Sequence, residues 1–243
     1  MKRISSGVFV VSVVVLITYL TQAAEKPKEP EVPKPPVNIP AAILDIANSK
    51  DGDYPGETTP VAGKWTVDAG AKKLNVATEP LLDSWLEFGP EIREKAATII
   101  ATGRSPGEGR LKSRFGVGLY GKNGFQLRAV PARQEIELVR RGAVLLKKPF
   151  ELNSEDLYSL ELSVTGERSH WIVSGRIWKE DSARPAETMF QYKIFADELL
   201  VPLAGRSVLV ATPFSGEPVS FSSAKVYYGE FVNEKEAEKV PAK

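Results

Sequence analysis

The sequence predicts an all-β domain: two antiparallel sheets packed as a β-sandwich or jelly roll, with only short peripheral helices. Three observations carry this. Apolar residues recur at every second position in short segments, which is the period of a strand with one buried face. Glycine and proline punctuate the chain between those segments, with 19 Gly and 18 Pro among 243 residues, so turns are frequent. No long helical pattern alternates with the strand pattern, which argues against a parallel α/β sheet.

In chain order, residues 1–24 read as an export signal peptide. Lys2 and Arg3 form a basic start, Val8 to Leu20 an apolar core, and Thr21-Gln22-Ala23-Ala24 a small-residue cleavage site. The alternative is an uncleaved anchor, because Gly7 to Ala24 approaches the roughly 17 residues needed to span a bilayer. The expected location is periplasmic or secreted, with contact to a membrane only through an uncleaved signal. Residues 25–40 carry six of the 18 prolines among alternating charges, the composition of a semi-rigid, Pro-rich linker. Residues 41–232 form the predicted sandwich domain. Residues 233–243 form a charged tail without apolar periodicity.

Within the domain, Ala41–Asn48 and Ala196–Leu200 are the two candidate helices. Strands are expected at Lys64–Val67, Leu81–Phe88, Ala96–Thr102, Arg114–Tyr120, Phe125–Val130, Ile136–Arg140 and Ala143–Leu146. Further along, Tyr158–Val164 and His170–Trp178 make a hairpin about Thr165-Gly166-Glu167. Met189–Phe195, Val208–Ala211, Val219–Ser222 and Ala224–Phe231 complete the set. Gly121-Lys122-Asn123-Gly124 and Arg140-Arg141-Gly142 have the composition of hairpin turns.

Composition removes several functions. With 32 basic and 31 acidic residues the formal charge is +1, so no global field recommends nucleic acid as a partner. Without the two basic residues of the signal the balance becomes −1. Zero cysteines and a single histidine, His170, exclude disulfides, thiol chemistry and cysteine-ligated metals, and leave most zinc catalysis without ligands.

Two motif matches fail in context. Gly103-Arg104-Ser105-Pro106-Gly107 fits the G-x-S-x-G nucleophile elbow, but Pro106 and Gly107 cannot open the helix an elbow requires. Gly116-Val117-Gly118-Leu119-Tyr120-Gly121 fits G-x-G-x-x-G, but another strand follows where a dinucleotide site needs a helix N-terminus. Strand curvature, or close approach of a ligand to the sheet, explains those glycines better.

Four segments carry a family resemblance: Gly63-Lys64-Trp65-Thr66-Val67 with Gly70; Arg114-Phe115-Gly116-Val117-Gly118-Leu119; Gly175-Arg176-Ile177-Trp178 before Pro185; and Val219-Ser220-Phe221-Ser222-Ser223-Ala224-Lys225-Val226. Together they resemble the concanavalin A-like lectin/glucanase superfamily, in its laminin-G-like and 3-keto-disaccharide hydrolase-type branch of exported bacterial proteins. The resemblance implies one concave sheet that holds carbohydrate. It also implies that an enzyme of this kind would carry an E-x-D-x-x-E strand. The corresponding Glu135-Ile136-Glu137-Leu138-Val139-Arg140 lacks the aspartate and has arginine in the last position. Glu135 and Glu137 read instead as a charged strand face with Arg140 as counter-charge.

Sugar recognition needs an aromatic plane and planar hydrogen-bond donors. Strand parity nominates Arg114, Tyr120, Gln126, Arg128, Arg176 and Trp178, although Trp178, like Trp65, also suits a core. No catalytic residue and no cofactor is assigned. Calcium, common in laminin-G-like relatives, is hinted at only by Asp51-Gly52-Asp53, which suits a polar turn. The leading expectation is an exported, non-catalytic module that binds carbohydrate or a cell-envelope partner. A glycoside hydrolase with dispersed carboxylates and a structural protein that docks another protein stay open beside it.

Overall fold

The period-two pattern builds fifteen strands in a computed structural model that describes residues 39–78, 82–108, 111–214 and 218–229. The signal, nearly all of the Pro-rich linker and the charged tail lie outside the described residues. The first six strands are β1 (Ala42–Ile43), β2 (Thr58–Ala62), β3 (Trp65–Asp68), β4 (Lys73–Val76), β5 (Ser84–Ile92) and β6 (Ala96–Arg104). Then come β7 (Arg114–Leu119), β8 (Phe125–Val130), β9 (Glu135–Arg140) and β10 (Ala143–Pro149). The chain closes with β11 (Tyr158–Gly166), β12 (His170–Lys179), β13 (Phe190–Phe195), β14 (Gly205–Thr212) and β15 (Val219–Tyr228).

All pairings are antiparallel, in two sheets. An eight-stranded sheet runs β13-β12-β11-β6-β15-β4-β3, with β1 also pairing β15. A seven-stranded sheet runs β10-β9-β8-β7-β14-β5-β2. The fold class is therefore the expected all-β sandwich, and among the described residues its helices are three single 3-10 turns. Among the described residues no helix is long and apolar enough to cross a membrane.

The core forms where the inward parity of the two sheets meets. Tyr158, Leu160, Leu162 and Val164 of β11 face Phe125, Leu127 and Ala129 of β8 and their neighbours, all nearly inaccessible. Phe221 stacks on Trp65 at 6.1 Å within its own sheet and meets Phe115 of the opposite sheet edge-on at 6.3 Å. Such pairs add to the burial of apolar area that drives folding. Gly175 makes room between the layers: a Cβ there would stand 2.5 Å from the Phe190 ring and 3.2 Å from Leu127 across the interface.

Four expectations change. Ala41–Asn48 is not a helix: Ala42 and Ile43 pair with Val226 and Lys225, and Leu44 and Ile46 are buried while Ile43 and Asp45 are exposed. The apolar spacing there suits either period, and docking on β15 selects the strand. Ala196–Leu200 shortens to the 3-10 turn Ala196–Glu198. The two expected final strands are one, β15, with a register shift between Phe221 and Ser223, as a bulge produces. Strands β2 and β4 were not expected. The first contains Pro60, tolerated because β2 is an edge strand, and the second has only four residues.

The failed motifs are turns and connections. Ser105 is buried and its hydroxyl donates to the Ser113 carbonyl at 2.5 Å, tying the β6–β7 connection together. Gly121 opens a 3-10 turn that leads directly into β8.

Candidate functional site

The outward face of the seven-stranded sheet is recessed. Gln126, Glu137, Val139, Val208 and Val210 point away from the core, yet none is more than 4 % exposed. Long side chains at the edges of the face and two hairpin tips at its end enclose a cavity of about 430 Å³, within the range of small-molecule sites. Asp83, Trp85, Gln126, Arg128, Lys122, Asn123, Arg141 and Gly142 line it. A shallower notch, lined by Arg114 and Thr212, continues from it and shares Asp83, Trp85 and Arg128.

Register explains the shape. One row across the sheet reads Trp85, Val210, Gly116, Arg128, Glu137 and Lys147, each opposite the next. The next row includes Val208, Gly118, Gln126 and Val139. Both glycines are buried between larger groups. A Cβ on Gly116 would lie 2.3 Å from the Leu127 carbonyl oxygen, and one on Gly118 would lie 2.6 Å from Val208. Crowding by the neighbouring strands, as expected for a curved sheet, therefore requires glycine at both positions.

The rim is set by turn chemistry. Arg141 and Gly142 have φ of 50° and 80°, the two positive values of a type I′ hairpin turn, and this turn puts Arg141 at the end of the cavity. At the β7–β8 turn Tyr120 is left-handed, with φ of 64°.

Of the six nominated residues, Arg114, Gln126 and Arg128 come together on this face. Arg128 is half-buried, its Nε donating to Gln126 Oε1 at 2.8 Å, and among the described residues no protein acceptor takes its terminal nitrogens. Burial is the main cause that pulls its pKa below the ordinary arginine value. Asp83 and Glu137 oppose that shift, and Arg114 adds to it. Arg114 lies over the Phe214 ring at 5.7 Å.

The other three are elsewhere. Tyr120 leaves the strand parity at its left-handed turn and enters the interior, 1 % exposed. Its hydroxyl donates to the Glu94 carbonyl at 3.0 Å, and its ring meets Trp171 of the other sheet edge-on at 6.1 Å. Burial pushes its pKa well above the ordinary tyrosine value. Arg176 and Trp178 belong to β12, on the outer face of the eight-stranded sheet. There Arg176 donates to buried Glu161 at 2.5 Å, and Arg184 donates twice to the same carboxylate, at 2.6 and 2.8 Å. Trp178 lies outside the core, whereas Trp65 is within it.

Sequence reasoning missed Trp85 and Asp83. The signal was present: Trp85 alternates with buried Ser84 and Leu86, so its ring faces outward. Its indole nitrogen bonds no acceptor among the described residues. Asp83 Oδ1 accepts a hydrogen bond from the Thr212 hydroxyl at 2.6 Å.

Glu135 and Glu137 share the outward face of β9, but their counter-charges are Arg133 and Lys147 rather than Arg140. Arg133 bonds both carboxylates, and Lys147 lies 3.4 and 3.5 Å from them. Arg140, of opposite parity, covers the Phe125 ring and donates to the Asn123 carbonyl. Both glutamates are thus held in a four-membered charge cluster. His170 sits at the start of β12, its Nε2 3.2 Å from Glu167. Asp51 Oδ1 accepts the Ala69 N–H at 2.6 Å, and Asp51-Gly52-Asp53 forms a polar turn. Among the described residues no group of three or more acidic, histidine or cysteine side chains is placed to hold a metal ion.

No family model and no curated protein matches the sequence. Solved structures do match the fold. The carbohydrate recognition domain of Emp46p superposes with a TM-score of 0.56 at 14% identity, covering 79% of this chain and 99% of that one. Its potassium-bound form gives 0.52 at 14% identity, covering 72% and 90%. The corresponding domain of Emp47p gives 0.52 at 10% identity, covering 77% and 95%. At such identities the likeness establishes the architecture, a lectin-like β-sandwich, which agrees with the concanavalin A-like fold that the sequence resembles.

Proposed function

We propose that the protein is an exported carbohydrate-binding module that holds its ligand on the recessed face of the seven-stranded sheet. The observation that carries this reading is the juxtaposition of Trp85, Arg128 and Gln126 around a cavity of about 430 Å³. An indole can stack on the C–H face of a sugar ring, and planar donors can bind its hydroxyls. That solved domains of the same architecture are named carbohydrate recognition domains supports the reading.

The motifs shared with the laminin-G-like and 3-keto-disaccharide hydrolase-type branch belong to the same proposal. So does delivery to the periplasm or exterior, supported by the basic start, apolar core and small-residue site of residues 1–24. The Pro-rich stretch of residues 25–40 then holds the module away from whatever precedes it. A carbohydrate on the cell envelope is the partner this arrangement suits. The engagement of both glutamates of β9 by Arg133 and Lys147 supports a module that works without turnover.

A glycan array followed by calorimetric titration of the full-length protein tests the reading. Binding to a saccharide class is expected, weakened about tenfold or more in Trp85→Ala, a loss typical of a central aromatic contact. Absence of binding to every saccharide at millimolar concentration would overturn it.

A further inference from the structure

The binding face carries a charge imbalance that the near-neutral chain as a whole does not. Lys122, Arg128 and Arg141 line the cavity against one carboxylate, Asp83. Asp83 accepts a hydrogen bond from Thr212 and forms no ion pair with these cations among the described residues. From these observations we propose that the ligand is an acidic saccharide, one bearing a carboxylate or a sulfate ester, with its anionic group held by Arg128.

The argument turns on what surrounds Arg128. Its cross-strand neighbour on one side is Gly116, which offers no side chain. On the other side stands Glu137, the natural counter-charge, but Arg133 and Lys147 already engage it. Among the described residues the one side-chain acceptor bonded to Arg128 is the neutral Gln126 amide, which takes Nε and so fixes the plane of the guanidinium. Both terminal nitrogens therefore remain as a planar pair of donors beside the cavity. That fork matches the two oxygens of a carboxylate or sulfate.

Among the described residues no carboxylate bonds Arg128 directly, and holding a half-buried cation in this way is unfavourable in the free protein. The arrangement becomes favourable when a ligand supplies the missing negative charge. Lys122 and Arg141 on the two hairpin tips extend the positive field to the mouth of the cavity, where they would attract an anionic chain before contact.

This inference rests on the carbohydrate-binding reading, and its test separates the two. The full-length protein is titrated with galacturonate oligomers and their methyl esters, and with sulfated galactan oligosaccharides and their desulfated forms. The acid is expected to bind about ten- to a hundredfold tighter than its neutral counterpart in at least one pair, the range for a hydrogen-bonded charge. The pair that responds identifies carboxylate or sulfate. Arg128→Gln should abolish that preference, Arg128→Lys should restore only part of it, and Trp85→Ala should weaken both members of the pair alike. Arg141→Gln, at an exposed turn, should reduce the preference several-fold without touching the fold. Equal or tighter binding of the neutral forms, or binding in the glycan array confined to neutral saccharides, overturns the acidic ligand and leaves carbohydrate binding standing, whereas no binding to any saccharide of the array overturns both.

Discussion

The two outer faces of the sandwich both carry arginines on strand positions, and the difference between them separates an arginine that builds the protein from one that is available to a ligand. On the eight-stranded sheet Arg176 stands directly opposite Glu161, which is 1 % exposed, and Arg184 reaches across from the β12–β13 connection to the same carboxylate. Arg176 also donates to the Ala186 carbonyl of that connection. Paired hydroxyls, Thr98 with Ser163 and Thr102 with Ser159, each at 2.8 Å, also join neighbouring strands on that face. On the seven-stranded sheet the positions opposite Arg128 are Gly116 and Glu137, and that carboxylate is engaged by Arg133 and Lys147. Charge and residue type are the same in both cases. Register against a partner decides which arginine is structural.

The sharpest way to break this comparison is Glu161→Gln. Two guanidinium groups would lose their shared counter-charge in a buried position, and the expected loss is about 3–5 kcal/mol of unfolding free energy, read from urea denaturation. Arg184→Gln leaves the Glu161–Arg176 pair balanced and should cost less. Saccharide affinity should be unchanged in any variant that folds; a matching loss of affinity would mean that the faces are not separate.

A smaller effect should come with alkaline pH. Burial, the largest cause in each, raises the pKa of Tyr120 in the interior and of Tyr227, which Glu161 raises further on the closed face. The folded state thus prefers the protonated phenols. Below the ordinary value of about 10 both states are protonated and this contribution is fully present; as pH rises past 10 the unfolded chain ionises first and stability falls. For Tyr120 the loss should reach about 1 kcal/mol by pH 11, and Tyr120→Phe should flatten that part of the profile. A stability curve level from pH 9 to 11 would contradict the burial of these groups.

The smallest effect is expected on the open face. Lys147 is half exposed and shares Glu135 and Glu137 with Arg133, so Lys147→Met should cost less than about 1 kcal/mol. A larger loss, measured in the same urea series, would show that the β9 charge cluster depends on the lysine rather than on Arg133.

Much of the fold was legible because strand parity is a local property. The alternation in Tyr158–Val164 predicted which side chains meet the core, and Phe125–Val130 has the expected boundaries. Where two periods fit the same residues, as in Ala41–Asn48, only docking against β15 resolved them. The site was half legible. Arg114, Gln126 and Arg128 share a face because neighbouring hairpin strands keep their register. Tyr120 was lost to a left-handed turn at the end of its strand, and Arg176 and Trp178 to membership of the other sheet. Trp85 is brought beside them by β14, whose Val210 stands opposite it from 125 residues further along the chain.

By itself, then, the sequence determined the strands, their buried sides, the glycine turns and the poverty of catalytic residue types, all of which follow from periodicity and composition over a few neighbouring positions. The tertiary structure alone decided which strands share a sheet, and therefore which arginine finds a glutamate and which faces an open cavity. Those pairings join residues far apart in the chain, and no local pattern encodes the register of one distant strand against another.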